Sequence, residues 1–436
     1  MSLYRCSLKP GIFLNHLKND RFKTGYFSLN FILPLSIENV AYYALLPRVL
    51  RSGCESLPNR RAIVKRLEEL YGADIYVRHY GRGDKQIISF AADFIDRAYL
   101  PQDERADVFS ETLAVLRDLI FSPIQQNGLF LQEYVDMERR NCADAVRAMI
   151  NNKQQYAIHR CTMLMCEGET SGIPILGTVE DFENLLPQKL IECYRHMLAH
   201  AQVEIFYVGS SSPAALETVS AEFFCSKMDG RELPQTQSAR ILHANTAKQY
   251  EETANAVQGK LVLGFRTGVF LGDTTQFAYS LFNEIYGGSP SSKLFLNVRE
   301  KKSLCYSCYA HADLLNGIMY VAAGIDREQK DVAIKEILLQ LDKTRQNEIS
   351  QEELYYAKQS LANGYRSLYD SPEALEVWYL RRILAGSVLT PEEVIERIMQ
   401  VTAQDVAAIA QRVSLDTIYF LRGDGTCTDE EGEEDD

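Results

Sequence analysis

Residues 287–309 read Gly287-Gly288-Ser289-Pro290-Ser291-Ser292-Lys293-Leu294-Phe295-Leu296-Asn297-Val298-Arg299-Glu300-Lys301-Lys302-Ser303-Leu304-Cys305-Tyr306-Ser307-Cys308-Tyr309. The stretch divides into a Gly-rich loop, a short helix and a strand. Ser291 or Ser292 is placed to cap the helix by accepting a backbone N–H. Leu294, Phe295 and Val298 recur at helical spacing and are expected to face a core. The aromatic and small residues of 304–309 suit a strand. The loop superficially suggests a phosphate cradle, but the Gly and Lys spacing of one is absent.

Around this stretch the second half of the chain reads as strand 260–265, helix 274–286, strand 319–324, helices 329–346 and 352–369, a helical pair opening at Thr390, and strand 417–421. The first half gives the same order. Strand 26–35 precedes helix 37–51, which Pro47 is expected to interrupt. Helix 59–71 follows and stops at Gly72, where a left-handed residue suits a helix end. Strands 74–78 and 86–92, helices 103–121 and 129–155, a helical pair running from Thr178 to His200, and strand 203–208 complete it. The two endings align: Thr178-Val179-Glu180-Asp181 with Thr390-Pro391-Glu392-Glu393, and Ile205-Phe206-Tyr207-Val208-Gly209 with Ile418-Tyr419-Phe420-Leu421, which runs on to Gly423. This predicts a duplication of roughly 210 residues giving two α+β domains in tandem. The expected division is a domain over 1–212, a linker over 213–245 with a helix at 216–224, a domain over 246–425 and an acidic, disordered tail over 426–436.

The formal net charge is −13, which argues against a nucleic-acid backbone as partner. The first ten residues contain no apolar signal-peptide core, and no segment approaches transmembrane length. Ten cysteines are scattered through apolar patterns, as in a reducing compartment. A cytoplasmic location, with no membrane partner, is the expectation.

The run from Gly287 to Phe295, with Val298 to Tyr309 after it, resembles the C-terminal-half signature of the M16 peptidase family (insulinase, pitrilysin and the processing peptidases). The resemblance covers residues 1–423 and implies two tandem homologous α/β-sandwich domains of the LuxS/MPP-like metallohydrolase fold, forming half of a clam-shell dimer. It also implies that Arg299 and Tyr306 reach over a zinc site and hold the substrate carbonyl, with Gly287, Gly288, Ser291 and Ser292 seating the peptide. Two hydrogen-bond donors suit an oxygen that gains negative charge during hydrolysis.

Active members carry His-x-x-Glu-His on the first helix. Two His four apart share a helical face and bind zinc, and the Glu takes a proton from the metal-bound water. Anchored on Gly53, those positions fall here on Ala44, Pro47 and Arg48, and no His lies between His16 and His79. The third ligand position falls on Ala145, beside Asp144, with Glu138 further up the helix. No catalytic and no metal residue is therefore expected in this chain. The M16B branch, and within it a non-catalytic YfmF-like subunit acting with a YfmH-like partner, is implied by Ala44-Leu45-Leu46-Pro47-Arg48-Val49-Leu50 and Leu67-Glu68-Glu69-Leu70-Tyr71-Gly72-Ala73.

The resulting expectation is a silent subunit that supplies Arg299, Tyr306 and the loop to a zinc-bearing partner chain. A structural or binding module that dimerises without peptidase activity is the alternative. Glu192, His196 and His200, at i, i+4 and i+8, could instead bind a metal, but a solvated helix face explains them more simply. Cys305 and Cys308, three apart in an expected strand, should point to opposite faces.

Overall fold

The computed structural model describes residues 3–100, 107–233 and 240–424. The acidic run 426–436 and part of the expected linker, 234–239, lie outside the described residues. The chain forms two units: Met1–Arg147 with Ile173–Ser238 and Pro372–Leu380, and Ala148–Gly172 with Ala239–Ser371 and Arg381–Asp436. Two segments thus belong to the unit opposite to their place in the sequence halves.

The first unit carries a six-stranded sheet in the order Tyr4–Lys9, Ile12–Lys18, Gln202–Gly209, Thr24–Pro34, Lys85–Ile95, Asp74–Arg82. The second carries five strands in the order Lys248–Ala254, Ser414–Gly423, Gly259–Arg266, Ile318–Ile325, Ser307–Asp313. The topologies correspond strand by strand. In each unit the last strand lies parallel to an early strand and antiparallel to the long one that follows it. Among the described strands of these two sheets, Tyr4–Lys9 alone has no counterpart. The endings aligned in the sequence are equivalent in fold, and Thr178 and Thr390 both open their helices with a capping box, which satisfies two orphan donors at once.

Alternation along Thr24–Pro34 decides the packing of the first sheet. Phe27, Leu29, Phe31 and Leu33 enter the main core with helices Val40–Leu50, Val108–Phe121 and Pro187–His200. The opposite face carries Tyr26, Ser28 and Asn30, all buried, and all three hydrogen-bond the carboxyl of Glu376. In the second unit, helix Lys153–Met165 covers one sheet face, with Ala157, Ile158 and Cys161 against Val262, Ala322 and Tyr419. Beside it Arg266, 1 % exposed, pairs with Glu169 at 2.6 Å and Asp416 at 2.8 Å.

Several expectations are corrected. Helix Val40–Leu50 runs through Pro47 without a break. The expected helix 129–155 is two, Gln132–Ala148 and Lys153–Met165, separated at Asn152, whose side chain caps the second. The expected linker begins as part of the first unit: helix Pro213–Phe223 is followed by Arg231, whose guanidinium donates to Leu198 O at 2.7 Å and Ala201 O at 3.1 Å. Among the described residues no helix is long and apolar enough to cross a membrane.

Candidate functional site

In the second unit, helix Gln276–Asn283 widens over Glu284–Gly288 into a turn with i to i+5 hydrogen bonds, and Leu294–Lys301 has the same wide geometry. Between them Ser289 O accepts from Ser292 N at 3.0 Å, and Ser292 Oγ accepts from Phe295 N at 3.4 Å. Ser292 is the capping serine and is buried, whereas Ser291 is exposed. Lys293 is also buried, and its ammonium donates to Glu353 at 2.7 Å and Glu348 O at 2.6 Å. A lysine committed in this way is not a phosphate ligand.

Gly287 lies where a Cβ would stand 2.7 Å from both the Cβ and the backbone N of Ala310. Gly287→Ala is therefore expected to cost about 1–3 kcal/mol through overpacking. A denaturant titration compared with Ser291→Ala, which touches no core, checks this. Gly288 is exposed.

Arg299 and Tyr306 flank the turn that leaves the wide helix. Ser303 adopts φ +48° there, and Leu304 N returns to Val298 O at 3.0 Å. The Arg299 side chain is 42 % exposed; its guanidinium lies 4.7 Å from the Phe295 ring centre and 3.6 Å from Glu300. Tyr306 is 59 % exposed, anchored by its backbone N–H to Gly324 O at 2.9 Å. Its hydroxyl has no partner among the described residues. Cys305 lies ahead of strand Ser307–Asp313, so strand alternation does not separate it from Cys308. The neighbouring Cys308 thiol lowers that of Cys305, while Cys305 and burial push Cys308 up.

In the first unit, Ala44, Pro47 and Arg48 line a cavity of about 510 Å³. Arg51, Arg60, Arg78, His79 and Glu138 share its wall. Glu138, 1 % exposed, is held by Arg60, by Ser52 at 3.4 Å and by Asn141 at 3.2 Å. The His79 ring meets Gln86 Oε1 at 3.0 Å, and burial pushes its pKa down to about 4. Because the unfolded chain binds a proton below about pH 6.5 and the folded one does not, His79 contributes stability above that pH, lost as pH falls toward 4. The expected loss is about 3 kcal/mol. In His79→Gln, which keeps an amide donor toward Gln86, this part of the pH dependence of unfolding should vanish.

Residues 184–361 match the family model described as the peptidase M16 inactive domain. The probable inactive metalloprotease YmfF of Bacillus subtilis is 26 % identical over 413 residues, 95 % of this chain and 96 % of that one. A conserved protein of Enterococcus faecalis has a solved structure that aligns with TM-score 0.89 and 29 % identity, over 98 % of this chain and all of its own. Over nearly its whole length the chain is similar to M16 peptidase homologues. The relatives it matches over that length include one described as inactive, and the matched domain model carries the same description. A Pseudomonas fluorescens structure described as a peptidase M16 inactive domain shares the fold, with TM-score 0.78 at 17 % identity over 98 % of this chain and all of its own.

The residues that the resemblance places at the M16 zinc positions do not fit zinc. Ala44 has no lone pair, Pro47 no proton to move, and Arg48 is a cation on the cavity wall. Glu138, rather than Ala145, lines the cavity, yet its carboxylate is already held by three donors. Among the described residues no group of three His, Cys, Asp or Glu could hold a metal ion, and Glu192, His196 and His200 make no such set. The His196 and His200 ring centres lie 4.8 Å apart with the planes tilted by 40°, and His196 Nδ1 meets Tyr43 Oη at 3.0 Å. The convergence of Arg51, Arg60, Arg78 and His79 beside Ala44, Pro47 and Arg48 is not readable in the sequence, because these residues come from a helix end, the start of a second helix and a sheet-edge strand with no shared spacing.

Proposed function

We propose that this chain is the non-catalytic half of a two-chain M16 peptidase. A partner M16 chain supplies His-x-x-Glu-His and zinc. This chain supplies Arg299 and Tyr306 as donors to the substrate carbonyl oxygen, and the exposed part of the loop, Gly288 and Ser291, seats the peptide. Gly287 and Ser292 act behind them, by packing and capping.

The observation that carries the reading is the state of the two donors. The Tyr306 hydroxyl has no partner among the described residues, and among them the Arg299 guanidinium meets the Phe295 ring and a single carboxylate, the adjacent, solvent-exposed Glu300. Exposed pairs of that kind contribute little, so the guanidinium is available to a substrate oxygen. Donors held in place before reaction stabilise developing charge at small reorganisation cost.

Mixing this chain with a His-x-x-Glu-His-bearing M16 chain from the same cell tests the reading. Peptide hydrolysis should rise well above the sum of the separate chains. A zinc-bearing chain that hydrolyses peptides at full rate alone, unaffected by this one, contradicts the proposal and favours a structural module.

A further inference from the structure

The cavity at the erased zinc positions has an unbalanced charge. Four guanidinium groups, from Arg48, Arg51, Arg60 and Arg78, line it, with Glu138 as the carboxylate on the same wall. Arg60 is paired with Glu138, and Arg78 with Glu373 of the segment Pro372–Leu380. Arg48 and Arg51 have no ion pair among the described residues. His79, kept neutral by burial, adds no charge. Two positive charges therefore stand uncompensated in a concave site, where the low-dielectric wall makes their field stronger than on open surface.

The rest of the lining indicates the kind of ligand. Ala44, Pro47, Val77 and Leu176 give it an apolar floor. Strand Asp74–Arg82, which contributes Val77, Arg78 and His79, lies at the edge of its sheet, where an extended chain can add main-chain hydrogen bonds. A guanidinium fork matches a carboxylate with two parallel N–H···O bonds. We propose that this cavity is a carboxylate receptor for peptides: Arg48 and Arg51 bind an acidic side chain or a C-terminal carboxylate of a segment lying along Asp74–Arg82. The loss of the metal ligands thus turns a cation site into an anion site. The inference extends the peptide-holding role proposed above, but it is tested on this chain alone, so its failure and the failure of partner assembly are distinguishable.

Isothermal titration of the full chain with three peptides of equal length provides the test. One is amidated with internal Asp and Glu, one is neutral with a free C-terminus, and one is neutral and amidated. The neutral amide should bind at least tenfold more weakly than whichever of the first two is preferred, and the preferred one identifies the source of the carboxylate. Arg48→Gln with Arg51→Gln should weaken that peptide roughly a hundredfold, about tenfold for each charged hydrogen-bond donor removed. Rising salt should erode the same preference. Neither side chain holds an ion pair among the described residues, so the thermal midpoint should stay unchanged; Arg51→Gln, at an exposed helix end, serves as the milder variant. Equal affinity for all three peptides overturns the proposal, as does undiminished binding by either variant.

Discussion

Arg266→Met is expected to lower the unfolding free energy of the second unit by about 3–5 kcal/mol, the largest effect of any single substitution considered. Arg266 Nε donates to Asp416 Oδ2 at 2.8 Å, and Nη2 lies 2.6 Å from Glu169 Oε1. Its other contacts are the carbonyls of Met165 and Ile241. The guanidinium is 1 % exposed, and the Glu169 and Asp416 side chains 6 % and 9 %. Methionine fills much of the volume but leaves two buried carboxylates facing each other without a cation. The cost is mainly that uncompensated charge rather than a lost attraction, because a buried pair gains little over an apolar replacement. Arg266→Met combined with Glu169→Leu and Asp416→Leu should therefore recover much of the loss. Denaturant unfolding of the three-fold variant against the single one checks the sign; a triple variant less stable than the single one contradicts this account.

Tyr306→Phe is expected to lower kcat of the reconstituted two-chain enzyme by about 10²–10³-fold, with little change in KM. The figure is that for removing one donor from an oxyanion site. The phenol is exposed and its hydroxyl is unpartnered among the described residues, so its loss should leave folding intact. Tyr306 is positioned by its backbone and by the turn at Ser303, neither of which the substitution touches. Arg299→Ala should act in the same direction. It also removes the contact with the Phe295 ring, so Arg299→Lys is the cleaner variant: charge is kept and the planar fork is lost. A loss appearing only in KM would make these residues ground-state binders rather than donors to the developing charge.

Much of the fold was legible in the sequence where local chemistry and tertiary role agree. Thr178 and Thr390 announce their helices through side chains that close capping boxes. Gly72, with φ +74°, follows the helix end at Leu70. Ile205 to Val208 and Ile418 to Leu421 are apolar throughout because both faces of those central strands are buried. Other elements left no such trace. Strand Lys248–Ala254 is a polar sheet edge with mostly exposed side chains, as edge strands often are, so it resembles a loop. Asn152 divides two helices that read as one periodic run. Helix Pro372–Leu384 was not anticipated; it carries Glu376, a charge type seldom found in a core, whose burial is explained only by Tyr26, Ser28 and Asn30 on a strand 346 residues away from Asn30's partner in the sequence.

The candidate site divides along the same line. Arg299 and Tyr306 stand out in the sequence because the surrounding loop and helix have a distinctive pattern. The substitutions at Ala44, Pro47 and Arg48 were legible as missing chemistry. What replaced that chemistry was not, since Arg60 and Arg78 reach the cavity from a separate helix and a sheet edge with no shared spacing.

Native mass spectrometry of the chain purified with its bound partner, with zinc counted on the same sample, tests the central claim most directly. The account predicts a pair of unlike chains holding about one zinc, with the metal retained by the chain that carries His-x-x-Glu-His after the pair is separated. A metal-free pair of identical copies, or zinc that stays with this chain, would contradict it.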